Sequence, residues 1–218
     1  MPTFHALIIG INQYAPPISS LRGCVNDANA IENALKKYVD TQAYSLQIQK
    51  LITAEGFVQP TRQHILAALE SYAGKVQAED VFFLFYAGHG SREKAHPDFR
   101  TSTGELSTLV PMDSGVLDKA SNRPIFDILS VELRVLLYNI WKHAKAEMIF
   151  VQDSCHSEKS TRFFGQKSIE LAREVNNHPN RAFARNLNEL ALSARAIAQA
   201  APAQKLTFEQ AFPICPFL

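Results

Sequence analysis

The 218 residues, 46% of them hydrophobic, are enough for one well-buried core, so the chain reads as one domain or most of a larger one. Its charges nearly cancel, 22 Lys and Arg against 21 Asp and Glu, and no basic run exceeds Lys36-Lys37, which argues against a nucleic-acid partner. The longest apolar run near the start, Ala6 to Ile11, lacks a basic flank and is too short for a signal core or a membrane span, so a cytoplasmic protein with no membrane partner is expected.

In chain order, His5 to Ile11 reads as a first buried strand, closed by the turn-rich stretch Asn12-Gln13-Tyr14-Ala15-Pro16-Pro17. Asn26 or Asp27 is placed to cap a helix running to Tyr38, with Ala30, Ile31, Ala34, Leu35 and Tyr38 at helical spacing. A second strand follows at about Ser45 to Ile52, and then a helix capped by Thr61 with a stripe of Ile65, Leu66, Leu69 and Tyr72. From Asp80 to Tyr86 the chain is apolar at almost every position, the pattern of a strand covered on both faces. Residues 87 to 107 read as a long, polar loop, and the proline in Leu109-Val110-Pro111-Met112-Asp113 leaves room only for a small edge hairpin. Ser130 is placed to cap a helix to about His143, and Glu147 to Gln152 forms a fourth buried strand, ending in Asp153-Ser154-Cys155-His156-Ser157. Beyond it, residues 168 to 200 look helical and basic, and Phe208 to Leu218 is apolar and proline-broken, suited to an extended tail or an interface. Strands alternating with amphipathic helices predict an α/β/α sandwich of three layers with a mostly parallel central sheet. No fifth or sixth strand is evident.

In such a sheet reactive groups gather at the carboxyl ends of the strands. His89 lies between two glycines just past the third strand, and Cys155 lies just past the fourth. On neighbouring strands, about 4.8 Å apart, an imidazole and a thiol meet closely enough for a Cys-His dyad. The imidazole would take the thiol proton and raise the thiolate fraction of a group whose free pKa is about 8.5. The plainer reading is a packed cysteine near a histidine bonded to a backbone carbonyl. Three cysteines, Cys24, Cys155 and Cys215, cannot pair off evenly and are expected to be reduced. No C-x-x-C or H-x-x-x-H spacing supports a zinc site, and no metal is expected.

Four stretches carry a resemblance. Phe85-Tyr86-Ala87-Gly88-His89-Gly90-Ser91 and Val151-Gln152-Asp153-Ser154-Cys155-His156-Ser157 resemble the histidine and cysteine motifs of caspase-like cysteine peptidases, particularly metacaspases and their prokaryotic relatives. Leu7-Ile8-Ile9-Gly10-Ile11-Asn12-Gln13-Tyr14 and Leu21-Arg22-Gly23-Cys24-Val25-Asn26-Asp27-Ala28 are similar to that family's first strand and first helix. The resemblance implies that residues 1 to 165 form the large-subunit catalytic region and that 166 to 218 belong to the same domain or to a partner interface. It implies His89 as general base and acid, Cys155 as the nucleophile that forms a thioester, and the backbone N–H groups of Gly90 and Cys155 as the oxyanion hole. Asp27 and Asp153 match the acidic positions of the family's primary specificity pocket, which implies protein or peptide substrates with Arg or Lys before the scissile bond. A helix cap for Asp27 and a turn hydrogen bond for Asp153 are compatible with that role.

The sequence also departs from the pattern. Ala87 stands where metacaspases usually carry serine, and Glu158 replaces the glycine that commonly follows the Cys-His-Ser triplet. Residues 92 to 113 offer only Glu93, Asp98, Glu105 and Asp113, widely spaced, so calcium activation is not favoured and no cofactor is expected. The last two strands of the family's sheet have no good candidates, which implies a processed fragment, a small-subunit or regulatory protein partner, or a tail that substitutes for them. An inactive caspase-like scaffold is the alternative to a peptidase, and a hydrolase of small amides would use the same dyad without the acidic pair.

Overall fold

The computed structural model describes residues 1–95 and 104–154. Expectations for Asp98, Cys155, Glu158 and the segment from 166 to 218 lie outside the described residues. Strands β1 (Thr3–Gly10), β2 (Ser45–Ile52) and β3 (Val81–Ala87) alternate with helices α1 (Cys24–Tyr38) and α2 (Arg62–Tyr72). Short strands β4 (Gly90–Lys94), β5 (Glu105–Leu109), β6 (Leu117–Asp118), β7 (Arg123–Pro124) and β8 (Ile128–Leu129) follow, then α3 (Ser130–Ala144) and β9 (Glu147–Asp153).

Among the described residues, β2, β1, β3 and β9 form a four-stranded sheet in that order, and every pairing is parallel. The chain moves outward from β1 to β2 and then returns to β3 on the other side, so the connections diverge between β1 and β3. In open parallel sheets that reversal opens a crevice at the carboxyl ends. β3 is buried at all seven positions because both of its faces are covered. Phe83, Phe85 and Ala87 join Ala6, Ile8, Cys24 and Ala28 beneath α1. Phe82, Leu84 and Tyr86 join Leu7, Ile9, Leu69, Tyr72, Leu136 and Ile140 beneath α2 and α3. Alternation along the strand thus sorts one apolar run into two cores. The expected three-layer α/β/α sandwich is the observed arrangement.

Thr61 caps α2 as expected, its hydroxyl accepting the His64 N–H at 3.2 Å. α1 starts earlier than expected. Gly23 is its N-cap, so neither Asn26 nor Asp27 caps it, and Asp27 sits inside the first turn. A residue thirteen positions upstream accepts at that end instead: Asn12 Oδ1 takes the Val25 N–H at 3.4 Å. The helix's inner face is Cys24, Ala28, Ile31 and Leu35, while Ala30 is exposed and Tyr38 is 74% exposed. α3 has Leu129 rather than Ser130 at its cap position, and the Glu132 carboxylate reaches back to accept the Leu129 N–H at 2.9 Å. Glu132 is fully buried and also pairs with Arg62 at 2.5 Å, tying α3 to the start of α2.

The loop expected from 87 to 107 is in part a hairpin. β4 pairs antiparallel with β5, from Gly90 opposite Leu109 to Lys94 opposite Glu105, and β8 extends this second sheet. Polar residues disguised it: Ser91 and Glu93 are buried while Arg92 and Lys94 between and beyond them are more exposed, so the period of two is present without apolar residues to announce it. The hairpin anticipated at Leu109 to Asp113 lies upstream, since Leu109 closes β5. β9, expected to be a buried strand, is only partly covered, with Glu147, Val151 and Asp153 exposed.

Candidate active site

The register sets Gly10, Ala87 and Asp153 abreast at the carboxyl ends of β1, β3 and β9. The chain past Ala87 reaches His89 within two residues. Its path is tied to the neighbouring strand by the Gly88 N–H, which donates to the Asp153 carbonyl at 3.3 Å. A side chain at Gly88 has no room, because a Cβ there would stand 2.7 Å from the hydroxyls of both Tyr14 and Tyr86.

His89 is 2% exposed, and its main chain is gripped on both sides. Its N–H donates to the Tyr14 hydroxyl at 2.8 Å, and its carbonyl accepts from the Tyr86 hydroxyl at 2.8 Å and from the Val110 N–H at 3.1 Å. Burial pushes the Tyr14 phenol far up, against the lowering effect of the His89 N–H, and burial likewise raises Tyr86 well above the usual value. Both hydroxyls therefore act as neutral hydrogen-bonding groups.

The imidazole itself is held by a carbonyl and by an aromatic ring. Nε2 lies 2.8 Å from the Ser19 carbonyl oxygen, and the Tyr14 ring packs on the imidazole with centroids 4.8 Å apart and planes inclined by 50°. A carbonyl only accepts, so Nε2 carries the hydrogen. In the neutral ring Nδ1 is then the basic nitrogen, the one able to take a proton from a thiol.

Both supports come from the connection between β1 and α1, which is stitched at several points. The Ile11 N–H donates to the Ala87 carbonyl at 2.9 Å, the Asn12 N–H to Thr53 Oγ1 at 2.8 Å, and the Leu21 N–H to the Asn12 carbonyl at 2.7 Å. The Ala15 N–H donates to the Met112 carbonyl at 2.9 Å, which secures the loop next to Tyr14. Gly10 permits α1 to close on β1, since a Cβ there would meet the Cys24 carbonyl oxygen at 2.7 Å and the Ala28 Cβ at 2.9 Å. Cys24 is fully buried at the start of that helix, as a packed residue should be.

Of the remaining expected site residues, Gly90 is buried at the head of β4, directly after the histidine. Asp27 is half-buried in the first turn of α1, and Asp153 is exposed at the end of β9. Cys155 lies outside the described residues, one residue beyond Ser154, the last of them. The acidic residues considered for calcium go separate ways: Glu93 is buried in β4, Glu105 faces Arg92 at 3.8 Å, and Asp113 accepts the Arg62 N–H at 2.8 Å at the start of α2. Among the described residues no three His, Cys, Asp or Glu side chains converge as a metal site. No helix among them is long and apolar enough to cross a membrane.

The backbone carbonyl of the plainer reading is there, on Ser19, but sequence reasoning named neither that residue nor Tyr14 and Tyr86 as partners of the histidine. Tyr14 and Tyr86 both stand inside the motifs that carried the resemblance, so the signal was present without its meaning. Ser19 acts through its carbonyl, which no residue type advertises.

A parallel sheet that presents a histidine at its carboxyl edge, next to a strand leading into a cysteine, defines a class, and comparison with known proteins gives it a family. The sequence model of the caspase domain, a peptidase family, matches residues 3–207, and the chain belongs to that family. It is 29% identical over 154 residues to Metacaspase-6 of Arabidopsis thaliana, covering 70% of this chain and 37% of that protein. It is 32% identical over 157 residues to Metacaspase-4 of the same plant, covering 71% and 34%. Metacaspase-3 of Trypanosoma cruzi is 29% identical over 186 residues, covering 82% and 48%. The chain thus spans about a third to a half of the length of these curated relatives. A crystal structure of protein GSU0716 from Geobacter sulfurreducens shares the fold, with a TM-score of 0.54 at 22% identity over 72% of this chain and 52% of that one.

Proposed function

We propose that this chain is the catalytic region of a cysteine endopeptidase that cleaves proteins after Arg or Lys. The carrying observation is the histidine: Nε2 held on the Ser19 carbonyl at 2.8 Å leaves Nδ1 as the base, at the edge where β9 runs on toward Cys155. In this reading Nδ1 takes the Cys155 proton, the thiolate attacks the scissile carbonyl carbon, and the backbone N–H groups of Gly90 and Cys155 stabilise the oxyanion. The imidazolium returns its proton to the leaving amine, and water then hydrolyses the thioester with the same imidazole as base. Asp27 and Asp153 supply negative charge for the basic side chain, where an acidic one would be repelled. The cycle needs no cofactor, and calcium is not required. Either a small-subunit or regulatory partner or the chain's own C-terminal segment completes the cleft, and the protein acts in the cytoplasm.

The test offers fluorogenic peptides ending in Arg, Lys or Asp to the full chain, with and without calcium. Cleavage is expected after Arg and Lys, lost in Cys155→Ala and reduced by at least about a hundredfold in His89→Ala. Preference for Asp would overturn the pocket assignment. Inertness of folded protein toward every peptide and toward a thiol-directed inhibitor would favour the inactive scaffold.

A further inference from the structure

His89 is buried, and one loop supplies a carbonyl and an aromatic ring that both bear on its imidazole. The Ser19 carbonyl fixes Nε2 at one point. Tyr14 supplies what a point contact lacks. Its ring lies 4.8 Å from the imidazole centroid, and its hydroxyl accepts the N–H of the same histidine at 2.8 Å. One side chain thus registers both the backbone and the ring plane of His89. We infer that Tyr14 is a positioning residue for the reaction, setting the direction in which His89 Nδ1 points.

The surroundings are built to keep that tyrosine in place. The single Tyr86 hydroxyl hydrogen is shared between the His89 carbonyl at 2.8 Å and the Val110 carbonyl at 3.1 Å, which closes the other side of the turn. The segment holding Val110 is braced by Asp127, a buried carboxylate that accepts from Thr108 Oγ1 at 2.7 Å and Ser114 Oγ at 2.6 Å. Gly88 leaves space for both phenol hydroxyls at once. The Ala15 N–H bonded to the Met112 carbonyl stops the Tyr14 segment from swinging away. A proton acceptor must sit within hydrogen-bond reach and line of its donor, and displacement by about 1 Å costs on the order of a hundredfold in rate. Tyr14 is assigned no part in substrate binding or in nucleophilic attack; it acts through the imidazole.

The inference rests on the dyad proposed above, so the test reads the ring as well as the reaction. Tyr14→Phe keeps the aromatic face and removes the acceptor for the His89 N–H. Peptide turnover is expected to fall by about tenfold or more in kcat with KM unchanged. The pH profile of Cys155 alkylation should move toward that of the free thiol, and the His89 ring ¹⁵N shifts should lose the fixed Nε2–H pattern. A role confined to folding would lower the melting temperature while leaving kcat, the alkylation profile and the ring shifts of the folded fraction unchanged, and that result would overturn the inference. Should Tyr14→Phe fail to fold, 4-aminophenylalanine at position 14 keeps the size and a polar para atom but accepts a hydrogen bond weakly. The same three readouts then decide. A wild-type chain that cleaves no peptide, while its His89 shifts still respond to Tyr14→Phe, would sink the peptidase reading and leave the positioning role standing.

Discussion

The two faces of the central sheet are covered in different ways. Beneath α1 the contacts are close and the residues often small, with Ala6, Cys24, Ala28 and Ala87 among them and Gly10 directly under the helix. Beneath α2 and α3 the filling is bulky, with Leu7, Ile9, Leu69, Tyr72, Phe82, Leu84, Leu136 and Ile140. Bulk removes more apolar surface from water, at roughly 25 cal/mol per Å², so the second face contributes the larger share of the hydrophobic stabilisation. Close approach does something else. It sets where the β1–α1 loop begins and ends, and that loop carries the Ser19 carbonyl and the Tyr14 ring that bear on the imidazole. The α1 face fixes the ends of that loop, while Tyr14 and Tyr86, which grip His89, pack within the bulkier cluster.

Three changes sharpen the contrast. Leu136→Ala empties a site that is 2% exposed on α3 and should cost about 2–5 kcal/mol in denaturant unfolding, with turnover per folded molecule unchanged. A loss of turnover as large as the loss of stability would erase the distinction between the faces. Gly10→Ala is smaller in stability, about 1–3 kcal/mol, because α1 has to shift away from a backbone oxygen that cannot rotate aside. Its turnover should nevertheless drop by more than about tenfold as the loop moves. The smallest effect concerns His5 at the opposite end of the sheet. Burial lowers its pKa from 6.5 despite Asp80 Oδ2 at 3.2 Å from Nε2, and Nδ1 has no hydrogen-bond partner among the described residues to receive a second proton's N–H. Below pH 6.5 the unfolded chain therefore binds a proton that the folded chain resists, so stability falls as the pH drops from 6.5 toward the lowered value. Asp80 adds to the acid loss further down: burial would raise it, but the N–H groups of Thr3 and Gln77 together with His5 hold it below 3.8. His5→Gln should flatten the slope of stability between pH 7 and 5, as read from urea melts, while a slope identical to wild type would show that this imidazole is not responsible.

Much of this was legible in the residues. The strand at Ser45–Ile52 and the Thr61 cap follow from periodicity and from a local acceptor, and both stand where the sequence put them. The β4–β5 hairpin was hidden because Ser91 and Glu93 are buried polar residues, whose burial is settled by tertiary partners rather than by hydropathy. The start of α1 was misread for a related reason, since its acceptor comes from Asn12, far outside any capping window. At the site, His89 announced itself through its glycines and its apolar strand. What orients it did not, because a phenol in a turn-rich stretch and a main-chain oxygen become partners only once β1 and β3 lie side by side.

The use of the Ser19 carbonyl has a genetic consequence. An orienting carboxylate can be lost by a single codon change, but every amino acid brings a carbonyl, so no substitution at position 19 deletes this acceptor outright. Loss of this tautomer during divergence is therefore steered toward the histidine itself or the course of the loop, and a homologue that retains both keeps the Nε2–H form.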